Sequence, residues 1–247
     1  MEVGIIEAGE IPPHLRAKYG DYTALYARFL HAAAPDLKCR TYRAFGDELP
    51  GSPGEADAWL ISGSRHGVYD PLPWIPKLRE FLRACARGRR PVVGVCFGHQ
   101  ILAEALGGKV EEFSGGWAVG VQDYTANHAP RWMEGAGRRW SGLALHRDQV
   151  IVQPPDSTVV AANDFCRIAA LAYGDPERPY AISVQSHPEF PAGFVADIVN
   201  ERRGTTIPEE RAAPALASLD RPVDNELWAR WIARFLRTAS TPSEGSS

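Results

Sequence analysis

The apolar positions of the first hundred residues fall into short runs separated by helical stripes. Residues 3–8 form a compact apolar run closed by Gly9, which predicts a first strand. Residues 19–31 carry Tyr22, Leu25, Tyr26 and Phe29 at helical spacing. Residues 39–45 alternate as a second strand, and the Pro/Gly/Ser stretch 50–54 is a loop. Residues 58–61 predict a third strand that runs into Ser62, Gly63 and Ser64. Residues 73–86 predict a helix, with Pro73 near its start and one stripe of Trp74, Ile75, Leu78, Phe81, Leu82 and Cys85. Segment 91–108 passes from a buried strand (Val92, Val93, Val95) through Gly94-Val95-Cys96-Phe97-Gly98-His99-Gln100 into an apolar helix, stopped by Gly107-Gly108.

This alternation predicts an α/β domain: a mostly parallel sheet with helices on both faces. Such sheets bind ligands at the C-terminal ends of their strands, where the stretch 62–64 and Cys96 fall together. Beyond Gly108 the pattern changes. Short runs at 110–113, 117–124, 143–145, 150–152, 158–162, 168–173 and 180–184, separated by turn residues, predict an antiparallel extension. Residues 194–199 read as helical, 204–222 carry no clear period, and 225–237 form an amphipathic helix that Asp224 or Asn225 caps. The expected organisation is one domain over 1–237, its helical extension over 193–237, and a disordered tail over 238–247.

Composition narrows the function classes. The chain has 247 residues, 45% hydrophobic and 23% charged, which suits one large globular domain. A net charge of −3 offers no basic face for nucleic acid. No apolar run reaches membrane-spanning length, and the N-terminus lacks signal-peptide character. The four cysteines, 39, 85, 96 and 166, make neither a CxxC pair nor a zinc spacing. The expectation is therefore a reduced, cytoplasmic protein without metal or other cofactor.

The chemistry concentrates around Cys96. Strand, small-Cys-small turn and helix is the layout of a nucleophile elbow. The position is read either as a buried structural thiol or as a nucleophile, and the flanking glycines favour the latter. A helix N-terminus stabilises a thiolate. Such a nucleophile needs a base and the base an orienting acceptor. His187, at the end of a strand-like run, is followed by Pro188 and then Glu189, whose carboxylate can take the proton on the far imidazole nitrogen. Oxyanion donors are expected from the Phe97 N–H and from Ser64 or Gly63. His146 and Asp148 are read as a substrate-side loop or a structural pair.

Taken together these residues resemble a class I (triad-type) glutamine amidotransferase domain. Four segments carry the resemblance, over about residues 1–200: 61–64 with 68–70, 94–100, 146–150 and 184–189. It implies a flavodoxin-like three-layer α/β/α fold, with Cys96 as nucleophile, His187 as base and Glu189 as its orienter. It further implies Ser64 and Phe97 as the oxyanion hole, beside Gly63. Gln100 and the backbone around His146 and Asp148 would hold the α-amino and α-carboxylate end of glutamine. The chain looks most like stand-alone members similar to the amidotransferase domain of GMP synthase, and like γ-glutamyl peptidases. Two reactions follow. One is release of ammonia from glutamine for a separate synthase subunit, since no ATP-binding P-loop occurs. The other is hydrolysis of γ-glutamyl amides by the chain alone. A non-catalytic binding module on the same fold is disfavoured by the intact triad. Ser64 and Ser186 depart from the family pattern, in which a glycine and an aromatic residue are common. A small Ser186 is expected to widen the approach to the thiol.

Overall fold

A computed structural model of the chain describes residues 1–135 and 139–239. Its first half alternates strand and helix: β1 (Glu2–Glu7), α1 (Pro13–Tyr19), α2 (Tyr22–His31), β2 (Lys38–Arg43), β3 (Ala58–Ile61), α3 (Trp74–Arg87), β4 (Val92–Val95) and α4 (Phe97–Ala105). Then come β5 (Lys109–Glu112), β6 (Ala118–Ala126), β7 (Arg139–His146), β8 (Asp148–Val152), β9 (Ser157–Ala162), β10 (Ala170–Tyr173) and β11 (Ala181–Val184). Three helices close the described chain: α5 (Ala192–Arg202), α6 (Glu209–Ser218) and α7 (Asn225–Ala239).

Nine strands form one sheet in the order β2-β1-β3-β4-β11-β10-β9-β6-β7. The neighbours from β2 to β11 are parallel, and those from β11 to β7 antiparallel. Strands β5 and β8 pair separately as an antiparallel ribbon. This is the expected three-layer arrangement. Val3 and Ile5 of β1, Leu60 of β3 and Val93 of β4 point to the layer of α2, α5 and α7, while Ile6, Trp59 and Val92 point to that of α3 and α4. Period-two alternation in fully buried strands is what assigns each side chain to a layer.

Several boundaries differ from expectation for identifiable reasons. The helix expected over 19–31 begins only at Tyr22, because Gly20 (φ 88°) ends α1 after Tyr19 and Asp21 caps α2, its carboxylate accepting from the Ala24 N–H at 2.8 Å. Helix α6 lies inside the uninterpreted stretch 204–222. Pro214 within it removes a backbone donor and masks the helical period. Thr238 and Ala239 extend α7 rather than opening a tail; the remainder of the expected tail, 240–247, lies outside the described residues. No helix among the described residues is long and apolar enough to cross a membrane.

The two glycines flanking Cys96 are explained by close approach. A Cβ on Gly94 would stand 2.5 Å from the Gly98 carbonyl oxygen, and one on Gly98 2.3 Å from that of Ile61. Helix α4 therefore sits directly on β3 and β4, with its N-terminus aimed at the sheet's C-terminal edge.

Candidate active site

Cys96 follows β4 and caps α4 with φ 53° and ψ −104°. For a residue with a Cβ this is strained backbone, held only where its surroundings over-determine it. They do so here: the Cys96 N–H donates to Val184 of β11 at 2.9 Å, and its carbonyl accepts from the Gln100 N–H at 3.0 Å. The thiol is thereby fixed in the wall of a cleft of about 270 Å³ at the sheet edge.

His187 reaches the same cleft from the end of β11. Its N–H donates to the Leu143 carbonyl at 2.8 Å, which fastens the turn to β7. Its Nδ1 lies 2.8 Å from Glu189 Oε1, and the two side chains are 4% and 0% exposed. With Nδ1 committed, Nε2 is the nitrogen that bonds the Cys96 sulfur. The ring stacks on Phe190 at 4.1 Å between centroids. Burial opposes the protonated imidazole, but Cys96 and Glu189 outweigh it and raise the pKa to about 10. At neutral pH this is an imidazolium held between a sulfur and a carboxylate.

A residue that the sequence pattern assigned only to a helix stripe completes this cluster. The hydroxyl of fully buried Tyr26 donates to Glu189 Oε1 at 2.9 Å. Oε1 thus accepts two bonds while Oε2 is buried with none among the described residues. Only tyrosine's polar end, in an otherwise apolar stripe, distinguishes this position in sequence.

Gly63 lies against both side chains: a Cβ there would stand 2.7 Å from His187 Cε1 and 3.7 Å from Cys96 Cβ. The Ser62 hydroxyl accepts from the Ala8 N–H at 2.9 Å and donates to the Gly63 carbonyl at 2.8 Å. Since N–H and C=O point opposite ways across a trans peptide, this anchors the Ser64 N–H away from that hydroxyl. Ser64 itself lines the cleft. Phe97, first residue of α4, leaves its N–H without a helical acceptor while its ring packs 5.6 Å from Trp74.

On the opposite wall, the Gln100 side-chain amide donates to the Asp148 carbonyl at 2.8 Å and to Gln185 Oε1 at 3.2 Å. His146 Nδ1 meets the same carbonyl at 3.2 Å. That backbone oxygen is therefore occupied, and side chains are what this segment offers the cleft. His146 and Asp148 are not in a loop: they end β7 and begin β8, with Arg147 alone between them. Burial holds His146 neutral, lowering its pKa to about 3, and its Nε2 is a buried acceptor without a partner among the described residues. Burial raises the Asp148 pKa, and its carboxylate takes a bond from the Tyr69 hydroxyl.

Ser186 does not do what was expected of it. It is 1% exposed, and its hydroxyl would stand 3.3 Å from a Cβ on Gly142, so it packs against β7 outside the cleft lining. The cleft is bounded instead by residues without a motif signal, among them Tyr22, Phe190, Ile198 and Arg202.

Comparison with known proteins identifies the family. The glutamine amidotransferase class-I family model matches residues 36–194. Gamma-glutamyl peptidase 3 of Arabidopsis thaliana is 28% identical over 189 residues, 73% of this chain and 74% of that protein. GMP synthase [glutamine-hydrolyzing] of Thermus thermophilus is 35% identical over 177 residues, 68% of this chain but 31% of the synthase. The crystal structure of a glutamine amido transferase from Methylobacillus flagellatus superposes with a TM-score of 0.72 at 22% identity, covering 96% of this chain and 94% of that one. With a family model spanning well over half its length, the chain belongs to the class-I glutamine amidotransferase family.

Proposed function

We propose that the chain hydrolyses the γ-amide bond of γ-glutamyl compounds, glutamine included, through a γ-glutamyl thioester on Cys96. The observation that carries this reading is the buried chain of contacts from Tyr26 through Glu189 and His187 to Cys96. The Cys96 thiolate attacks the γ-carbonyl carbon, forming the C–S bond. Negative charge on the carbonyl oxygen is met by the N–H groups of Phe97 and of Ser64 or Gly63. The C–N bond then breaks as His187 Nε2 gives its proton to the leaving nitrogen. Water next attacks the thioester, His187 takes its proton, and glutamate leaves as the thiolate is restored. Glu189 keeps the imidazole in the tautomer and orientation both steps require. Gln100, His146 and Asp148 hold the α-amino and α-carboxylate end of the γ-glutamyl group.

When the substrate is glutamine the leaving group is ammonia, available to a separate synthase subunit. A second reading, in which the leaving group is a larger amine, is supported by the cleft beyond His187, which Tyr22, Phe190, Ile198 and Arg202 line. The test is one set of assays on the purified chain, with glutamine and with γ-glutamyl dipeptides, following ammonia, glutamate and released amine. Turnover lost on Cys96→Ser supports the chemistry, and turnover that survives Cys96→Ser overturns it. Dipeptide turnover by the chain alone favours the second reading. Glutamine turnover that appears only with a partner favours the first.

A further inference from the structure

The cleft draws its two walls from different layers. Gln100 sits on α4, in the layer of α3 and α4, with Asp148 beside it on β8. Tyr22, Phe190 and Ile198 belong to the layer of α2, α5 and α7, and Arg202 closes α5 at the cleft's end. His187 stands on the second side: its ring stacks on Phe190, whose ring lies 6.4 Å from that of Tyr22. A γ-glutamyl group on Cys96 that extends toward Gln100 thus leaves the Tyr22 side to the departing amine, which must take its proton from His187.

Charge pairing singles out one residue there. The acids of the cleft are all engaged: Asp70 with His66 at 3.2 Å, Glu112 with Arg147, and Asp148 with the Tyr69 hydroxyl. Arg65, on an exposed loop, reaches only His66 Nε2 at 3.5 Å. Arg202 is half-buried on a helix and its guanidinium has no hydrogen bond or ion pair among the described residues; the Tyr22 hydroxyl feels its charge. A guanidinium beside an apolar wall matches a carboxylate that carries an apolar side chain. Ammonia has neither feature.

Building on the Cys96 chemistry above, we propose that the preferred leaving group is an α-amino acid with an apolar side chain. Its carboxylate sits on Arg202 and its side chain lies against Tyr22, Phe190 and Ile198. The substrates are then γ-glutamyl dipeptides. In the acylation step the bond from the γ-carbonyl carbon to the amino acid nitrogen breaks, and the His187 proton goes to that nitrogen. Water later splits the thioester, giving glutamate.

The experiment compares γ-glutamyl-leucine with its decarboxylated counterpart, γ-glutamyl-3-methylbutylamide, on the full chain. The wild type should favour the dipeptide in kcat/KM by tenfold or more. Arg202→Gln should cut that ratio at least tenfold, and Arg202→Lys should retain most of it; circular dichroism checks that each variant is folded. A ratio that Arg202→Gln leaves unchanged, or that falls only with Arg65→Gln, overturns the assignment. So does a wild type that hydrolyses glutamine but neither γ-glutamyl amide, an outcome that leaves the thioester reading standing. If none of the three substrates is hydrolysed, the leaving-group assignment is overturned; the thioester reading fails with it only if Cys96 also takes no adduct from a diazoketone analogue of glutamine.

Discussion

Replacing Tyr26 by Phe removes one oxygen from a site that has no spare partners. Glu189 Oε1 would keep only His187, and Oε2 is already buried without a bond, so no internal group can compensate. The ring itself stays, because Phe fills the same space among fully buried neighbours. A hydrogen bond to a buried charge contributes roughly 1.5–3 kcal/mol. At about 2 kcal/mol, and with an unfolding entropy near 2.1 cal/mol/K per residue, Tm should fall by roughly 4 °C. Glu189 would also be freer to turn, and with it the imidazole it orients. Misplacing a reacting group by about 1 Å costs on the order of a hundredfold, so a partial loss of orientation should lower kcat by roughly tenfold, with KM little changed. Thermal melts and steady-state γ-glutamyl hydrolysis on Tyr26→Phe measure both. A variant with lowered Tm but wild-type kcat would show that Tyr26 only satisfies a buried carboxylate. Wild-type values of both would remove the bond from the account.

Three further outcomes follow from the same geometry. Gly63→Ala places a methyl 2.7 Å from His187 Cε1, so the buried ring must shift: kcat should fall by about a hundredfold, and overpacking of roughly 1–3 kcal/mol should lower Tm by a few degrees, read by the same two assays. Glu189→Gln should retain measurable turnover, because its amide oxygen can still accept from His187, whereas His187→Ala should fall by about 10⁴ or more; equal losses would contradict the assigned roles. Burial holds His99 and His146 neutral with pKa values near 4 and 3, below their ordinary value of 6.5, so these two sites bind protons only on unfolding. The stability they confer is complete above pH 6.5 and is lost as pH falls toward 4 and 3, by on the order of 3 kcal/mol for His99. His187 has the opposite sign: with its pKa raised to about 10, its contribution is full below pH 6.5 and is lost as pH rises toward 10. Urea titrations across pH, with proton uptake on unfolding below pH 6 from His99 and His146, check the sign for that pair.

The elements legible in sequence were those whose signal is local. Apolar runs bounded by glycine located β1, β3 and β4, and the Gly-Val-Cys-Phe-Gly turn located the elbow because close packing admits no Cβ at either flank. His187 and Glu189 were legible because a two-residue separation lets one side chain orient the other. What pairing across the sheet decides was not legible. Tyr26 and Glu189 are 163 residues apart, and nothing in the α2 stripe says which buried residue bonds the carboxylate. The direction of Ser186 is hidden for the same reason, since it is set by the register of His187 on Leu143 in β7. Helix α6 was hidden by Pro214, whose cost the packing of Ala212 and Ala215 against the core offsets.

The proposed chemistry stands on Cys96 being the thiol that becomes acylated. The four cysteines are distinguishable on physical grounds: burial pushes Cys85 and Cys166 up to about 12 and also raises Cys39, while Cys96 alone lies beside an imidazolium. The direct measurement is mass spectrometry of the intact chain and its peptides after reaction with an electrophilic diazoketone analogue of glutamine, in parallel with glutamine protection. A single adduct on Cys96 that glutamine or a γ-glutamyl dipeptide suppresses is expected. An adduct on Cys39, Cys85 or Cys166 with Cys96 unmodified, or labelling of Cys96 that no γ-glutamyl compound suppresses, would contradict it.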